Sequence, residues 1–395
     1  MRRLSLILAL LVCLAAAPVA AQPAGECVVG PGLGATLLIP YFELDLSDPL
    51  GVNTLFAVNN GLSVSTLARV VFWTDWGVPT LAFDLFLTGF DVQTINVRSI
   101  FDGALPSTGD GFDLSGFPGC DLAPPQHANP VLSVSELAQL VADHTGTASP
   151  IDGLCAGENH EDGILRGYIT VDVVDECNGI ESFAPTVTPA RSGAGSPYFS
   201  EGGGSAGIAG IQNKLWGDVV YIDFNGNAAQ GSEAIAVWAN PAKFDGSDIF
   251  TFYGRYSGWD GRDERVPFSD LWDQRFLDGG PFSGGADFLV WRDTGSSSIF
   301  AVTCGNRPSW FPLTGTTIAL DEEASNLVDL GDPFPLATQR VPVSSLGIPY
   351  SFGWVQIDTA NKQAWVQPTL SGVGLFSASF NGTPFGSLCT ADPTP

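Results

Sequence analysis

Three histidines, His127, His144 and His160, stand near Cys120 and Cys155, and imidazole with thiolate is what a zinc centre requires. His160-Glu161 opens like HExxH, but Ile164 occupies the place of the second histidine. The neighbouring cysteines are also expected to be oxidised, so zinc finds little support. Gly203-Gly204-Ser205-Ala206-Gly207 fits the GxSxG pattern of serine hydrolases. A nucleophile elbow needs a buried strand before the serine, a helix after it and a histidine later in the chain. Here SPYFSEGG precedes the serine and all three histidines come earlier, so the segment reads as a glycine-rich loop.

Calcium is the better-supported metal, since hard cations take several carboxylate and carbonyl oxygens. Asp223, Asn225 and Asn227 match the first three ligand positions of an EF-hand loop. The match then fails, because Ala228 replaces the turn glycine and Glu233 comes one residue early. A strand-to-strand turn accounts for the same residues without an ion. The ten tryptophans offer another chemistry. Exposed aromatic rings beside polar groups suit sugar or protein recognition, and rings filling a core are the alternative. The segment with Tyr253, Arg255, Tyr256, Trp259 and Trp272 has the least regular alternation and is the first place to expect a ligand face.

Composition narrows the classes. The 395 residues carry 16 basic and 42 acidic side chains, a net charge of −26. A nucleic-acid binder must neutralise phosphates with Lys and Arg, so nucleic acid is excluded as a partner, and anionic membrane surfaces are disfavoured. Met1-Arg2-Arg3, an apolar run to Ala17 and small residues before Gln22 make residues 1–21 read as a secretory signal peptide. No transmembrane segment is expected after its removal. Six cysteines remain: Cys27, Cys120, Cys155, Cys177, Cys304 and Cys389. An even count in an exported chain points to three disulfides. Pairing within halves is expected, as Cys27–Cys120, Cys155–Cys177 and Cys304–Cys389.

The elements that must carry these groups read as strands. From Ala68 to Phe101 three strands follow one another, and Leu81, Phe83, Leu85 and Leu87 alternate with Ala82, Asp84, Phe86 and Thr88. Period two commits one face to a core, and a second sheet must cover it. Strands are expected at 36–43, 54–59, 167–174, 217–224 and 233–239. In 167–174, Ile169, Val171 and Val173 face in while Thr170 and Asp172 face out. A helical insertion is expected at about 103–162, with Ser133 and Glu136 as a capping box, Val134, Leu137 and Val141 on one face, and Gly146 closing it. Beyond Asp245 a short helix is expected from Ser269 to Asp278. Strands follow at 286–292, 299–303, 315–320, 339–343, 352–358, 363–367 and 373–380. DVQTINVRSI echoes ATQRVPVSSL, and RGYITVDVV echoes SFGWVQIDT. Alternating strands resemble one another by default, so the echo alone does not establish a duplication.

Both halves resemble the immunoglobulin or fibronectin type III class of sandwich, and the Phe72–Phe101 stretch is similar to segments of exported bacterial proteins. That resemblance implies an all-β fold and brings no catalytic residues. The expectation is therefore an all-β chain of two sandwich domains, 22–245 and 246–395, secreted or periplasmic. The expected function is non-enzymatic: structural, adhesive or binding, with a protein or glycan partner at the cell surface and Ca²⁺ as the one cofactor considered. The alternative is a carbohydrate-binding protein or a carbohydrate-active hydrolase.

Overall fold

The computed structural model describes residues 32–106, 132–174, 181–182, 212–239, 268–278, 285–294, 301–371, 377–379 and 383–384. The fold is all-β, in several antiparallel sheets with two α-helices among the described residues. The first half contributes β1 (Thr36–Leu44), β2 (Asn53–Asn60), β3 (Thr66–Thr74), β4 (Pro79–Leu87), β5 (Val92–Asn96), β6 (Leu154–Cys155), β7 (Leu165–Val174), β8 (Glu181–Ser182), β9 (Leu215–Asp223), β10 (Ala228–Glu233) and β11 (Ile235–Val237). The second contributes β12 (Leu271–Leu277), β13 (Gly285–Arg292), β14 (Val302–Thr303), β15 (Thr316–Asp321), β16 (Leu327–Gly331), β17 (Thr338–Pro342), β18 (Phe352–Asp358), β19 (Ala364–Ser371), β20 (Ser377–Ser379) and β21 (Thr383–Pro384).

The two halves repeat one another strand for strand. In the first, a large sheet runs β11-β1-β7-β3-β4, with β8 added at its edge, and a small sheet runs β10-β9-β2-β5. In the second, the large sheet runs β21-β12-β18-β15-β16 and the small one β20-β19-β13-β17. Read in chain order, nine strands of one half correspond to nine of the other. The sequence echo marks part of this duplication. Each member of its first pair is a five-residue strand followed by a short helix, α1 (Val97–Phe101) after β5 and a 3-10 turn (Val343–Leu346) after β17. The second pair is the central strand of each large sheet, offset by one residue: Ile169 and Val171 match the buried Val355 and Ile357. Side chains of one face then correspond, Tyr168 to Trp354 and Asp172 to Asp358.

Within the first unit, Phe56 and Val58 of the small sheet pack against Phe72, Leu85 and Ile169 of the large one. The hairpin between β3 and β4 turns at Asp75–Val78, where Gly77 takes φ +79° and its N–H reaches the Thr74 carbonyl at 2.9 Å. Helix α2 (Val134–Thr145) begins with the expected capping box and ends at Gly146 in the left-handed region. Its buried face matches the expected one in part: Leu137 and Val141 pack half-buried against the core. Val134 is 85% exposed, whereas Leu140, Ala142, Asp143 and His144 are buried. The segment expected to be helical at 269–278 forms β12, because it finds partners on both sides, β18 and β21.

The large sheet of the first unit is covered on both faces. Thr170 and Asp172, expected to face out, are buried, as are Ala82 and Asp84. Their face carries Leu38, Val71, Trp73 and Tyr168, which share one apolar cluster with Phe288, Trp291 and Trp365 of the second half. Trp73 stacks on Tyr168 at 5.4 Å, and Tyr168 meets Trp291 edge-on at 6.1 Å. Polar members pair with one another within the face: Arg69 bonds Asp84 at 2.8 Å, and Trp73 Nε1 donates to Thr170 at 3.0 Å. The second unit applies the outer face of its small sheet here. Thr338 donates to the Pro40 carbonyl. Arg340 holds Asp287 at 2.7 Å and Glu43 at 2.9 Å, and Gln367 donates to Ser232 at 2.6 Å.

A disulfide also crosses between the halves. Cys155 is bonded to Cys304, so the expected pairs Cys155–Cys177 and Cys304–Cys389 do not form. The reason is topological: β6 pairs with β14, placing Val302 opposite Cys155 and Cys304 within reach. Cys27, Cys120, Cys177 and Cys389 lie outside the described residues. Among the described residues no helix is long and apolar enough to cross a membrane.

Candidate functional site

The small sheet of the first unit has one face committed and one open. Residues alternate along each strand, so Phe56, Val58, Val219, Tyr221 and Ile95 point into the core. Leu55 and Ala57 of β2 and Trp216, Asp218 and Val220 of β9 point out. Register lines these into rows across the sheet. Glu233, Asp218, Ala57 and Thr94 form one row, and Gly231, Val220, Leu55 and Asn96 the next. The small Ala57 and Gly231 keep the floor low, while Ala104 and Leu105 beyond α1 raise a wall. The result is a trough of about 480 Å³ whose floor includes Leu55, Ala57, Asp218 and Val220. A second hollow of about 290 Å³ adjoins it, lined by Leu33, Trp216, Asp218 and Glu233.

Three properties make this face suited to recognition. Its floor is largely apolar, so a partner that covers it gains from removing that surface from water. Trp216 is 44% exposed and offers a ring edge or face to a partner. Asp218 and Glu233 are cross-strand neighbours, and like charges directly opposite are unfavourable. Neither takes part in an ion pair among the described residues, so this end of the trough presents uncompensated negative charge.

The residues singled out from sequence lie elsewhere. Trp272 is fully buried, its Nε1 donating to the Ser269 carbonyl at 3.1 Å, and its ring meets Trp365 edge-on. It fills the core of the second unit and cannot be an exposed platform. Tyr253, Arg255, Tyr256 and Trp259 lie outside the described residues, as do Ser205 and His127. Asp223, Asn225 and Asn227 close the β9–β10 hairpin: Asp223 accepts the Gly226 N–H at 2.8 Å, and Asn225 donates to Asp48 at 2.8 Å. Asn227 takes φ +50°, a left-handed turn conformation that Asn tolerates. Among the described residues no group of three His, Cys, Asp or Glu is placed to hold a metal.

The other histidines have structural tasks. His144 lies between Phe42 and Phe101, with Nδ1 on the Arg166 carbonyl and Nε2 on Thr80, both at 2.8 Å. Burial lowers its pKa to about 4, outweighing the attraction of a helix C-terminus for positive charge. A carbonyl only accepts, so Nδ1 carries the proton and Nε2 takes the Thr80 hydroxyl. His160 bonds the buried carboxylate of Asp75 at 2.9 Å, and burial raises Asp75 despite that partner. Next to them Glu158 receives Arg307 of the second unit at 2.8 Å, and the Trp310 indole donates to the Trp76 carbonyl. This cluster fastens the units together beside the disulfide.

Sequence reasoning counted Trp216 among ten tryptophans without singling it out. A signal was present in LWGDVVYID. Leu215, Gly217, Val219 and Tyr221 form the core face, yet Trp216, Val220 and Ile222 on the other face are also apolar, which a plain solvent face would not need. Compared with protein-family models, curated proteins and solved structures, the chain matches none.

Proposed function

We propose that the chain is an exported, non-enzymatic protein of the cell surface or extracellular space, structural or adhesive, which engages its partner through the trough of the first small sheet. The observation that carries this reading is the open apolar floor around Leu55, Ala57 and Val220 beside the exposed Trp216. A rigid sheet face suits binding because its groups are held in place before the partner arrives. The leader-like N-terminus and the Cys155–Cys304 bond support an oxidising destination. A glycan is the second reading, favoured by Trp216 standing beside two carboxylates that can accept hydroxyl hydrogens.

The test uses the mature oxidised protein and its Val220→Arg variant. Both are applied to glycan and peptide arrays, and self-association is followed by sedimentation. At least one interaction is expected to weaken about tenfold or more in the variant, as the loss of a central contact does. If no interaction responds to Val220→Arg, the trough is not the binding face. Release of reducing ends from polysaccharides would overturn the non-enzymatic assignment in favour of a hydrolase.

A further inference from the structure

The molecule already contains one example of how this kind of surface is covered. The second unit's small sheet corresponds strand for strand to the first unit's, and its outward face is not open. Leu289, Thr338 and Arg340 share that face by register. They lie against the outer side of the first unit's large sheet, through Trp291 on Tyr168, Thr338 on Pro40 and Arg340 on Glu43. The junction is heterologous: the large sheet of one unit meets the small sheet of the next. Among the described residues, two surfaces are left at the ends of this two-unit stack. One is the trough, the first unit's small-sheet face. The other is the outer face of the second unit's large sheet, the counterpart of the face that carries Tyr168.

That far face matches the trough in character. Trp354 occupies the position of Tyr168, and Ile318 and Leu320 lie beside it as half-buried apolar residues. Phe352 is 47% exposed. Arg275 lies over the Trp354 ring at 4.8 Å, and no acidic side chain pairs with it among the described residues. The trough offers apolar Leu55, Val220 and Trp216 with Asp218 and Glu233, which form no ion pair among the described residues. By register the same face as Arg275 also carries Asp273, Asp329 and Asp358, so both ends present an apolar floor bordered by carboxylates, and Arg275 is the cation on the far face that can meet Asp218.

We propose that the partner of the trough is a second copy of this chain, whose large-sheet face around Trp354 and Arg275 docks on Trp216, Val220 and Asp218 and continues the internal junction. This rests on the trough being the binding face. A heterologous contact that does not close generates a filament, so copies stack head to tail with the same alternation of large and small sheets found within one chain.

The experiment is analytical ultracentrifugation of the mature, oxidised full chain from about 1 to 100 µM, with Val220→Arg disabling the trough and Trp354→Glu disabling the far face. The wild type is expected to grow in mass with concentration beyond a dimer, whereas each variant alone is monomeric. Mixed in equal amounts, the two variants are expected to form dimers and stop, because each retains one working end. Those dimers also show that both variants are folded. A wild type that stays monomeric overturns the proposal. So does a dimer that does not grow, or a mixture that fails to dimerise. If the wild type is monomeric while an array ligand still depends on Val220, the self-assembly inference fails and the trough reading survives. If neither depends on Val220, both fail.

Discussion

Strands β2 and β13 hold the same place in equivalent sheets and turn similar side chains inward, Phe56 and Val58 in one, Phe288 and Val290 in the other. Their outward residues have different fates. Leu289 and Trp291 are buried against the first unit, whereas Leu55 and Ala57 form the floor of an open trough. The inward face follows from the sandwich itself and is the same in both copies. The outward face is where the copies diverged, with Leu289 and Trp291 standing where Ala57 and Asn59 stand in the first. One face of a sheet is therefore bound by the fold, and the other is available for whatever contact a unit makes beyond itself.

The sharpest way to break this comparison is to truncate at the covered face. Trp291→Ala is expected to cost about 3–5 kcal/mol, the range for losing a buried large aromatic. Urea unfolding monitored by circular dichroism measures it, and a loss below about 1 kcal/mol would mean the junction contributes little. Replacing Cys155 and Cys304 together by serine is the next largest effect. That bond closes a sequence separation of 149 residues, and its removal is expected to cost about 2–4 kcal/mol. Limited proteolysis of the variant would show cleavage between the units at lower urea than in the parent. The smallest effect belongs to the open face. Leu55→Ala, being only half buried, is expected to change stability by less than about 1 kcal/mol, so a large loss in the same urea assay would show that the trough floor is a structural core after all.

What could be read in the chain beforehand was what short-range chemistry determines. Ser133, Glu136 and Gly146 delimit α2 because capping is a contact between near neighbours. The alternation in β4 was visible, but not that Ala82 and Asp84 would be buried, since that depends on a unit more than 150 residues away. The segment at 269–278 was ambiguous for a physical reason. Trp272 and Phe276 are four apart, which suits a helix, and the intervening buried residue, Gln274, is polar and hides the period of two. Only pairing with β18 decides the case. The partners of Cys155 and Cys304 were misread because nearness in sequence stood in for nearness in space. The Asp223 turn was legible as both turn and ion loop, and its own hydrogen bonds favour the turn. The trough depends on β2, β5 and β9 meeting across more than 150 residues, so no local pattern contained it.

The position of β1 carries a consequence for how the molecule is made. Its neighbours are β7 and β11, beginning at Leu165 and Ile235. The first strand among the described residues therefore has no pairing strand until well over a hundred further residues are present, and its second edge waits longer still. Contacts so distant in the chain carry a large loop-closure cost before any reward, and folding slows accordingly. A chain of this topology therefore leaves β1 without its strand partners for an interval set by the length of chain still to be made.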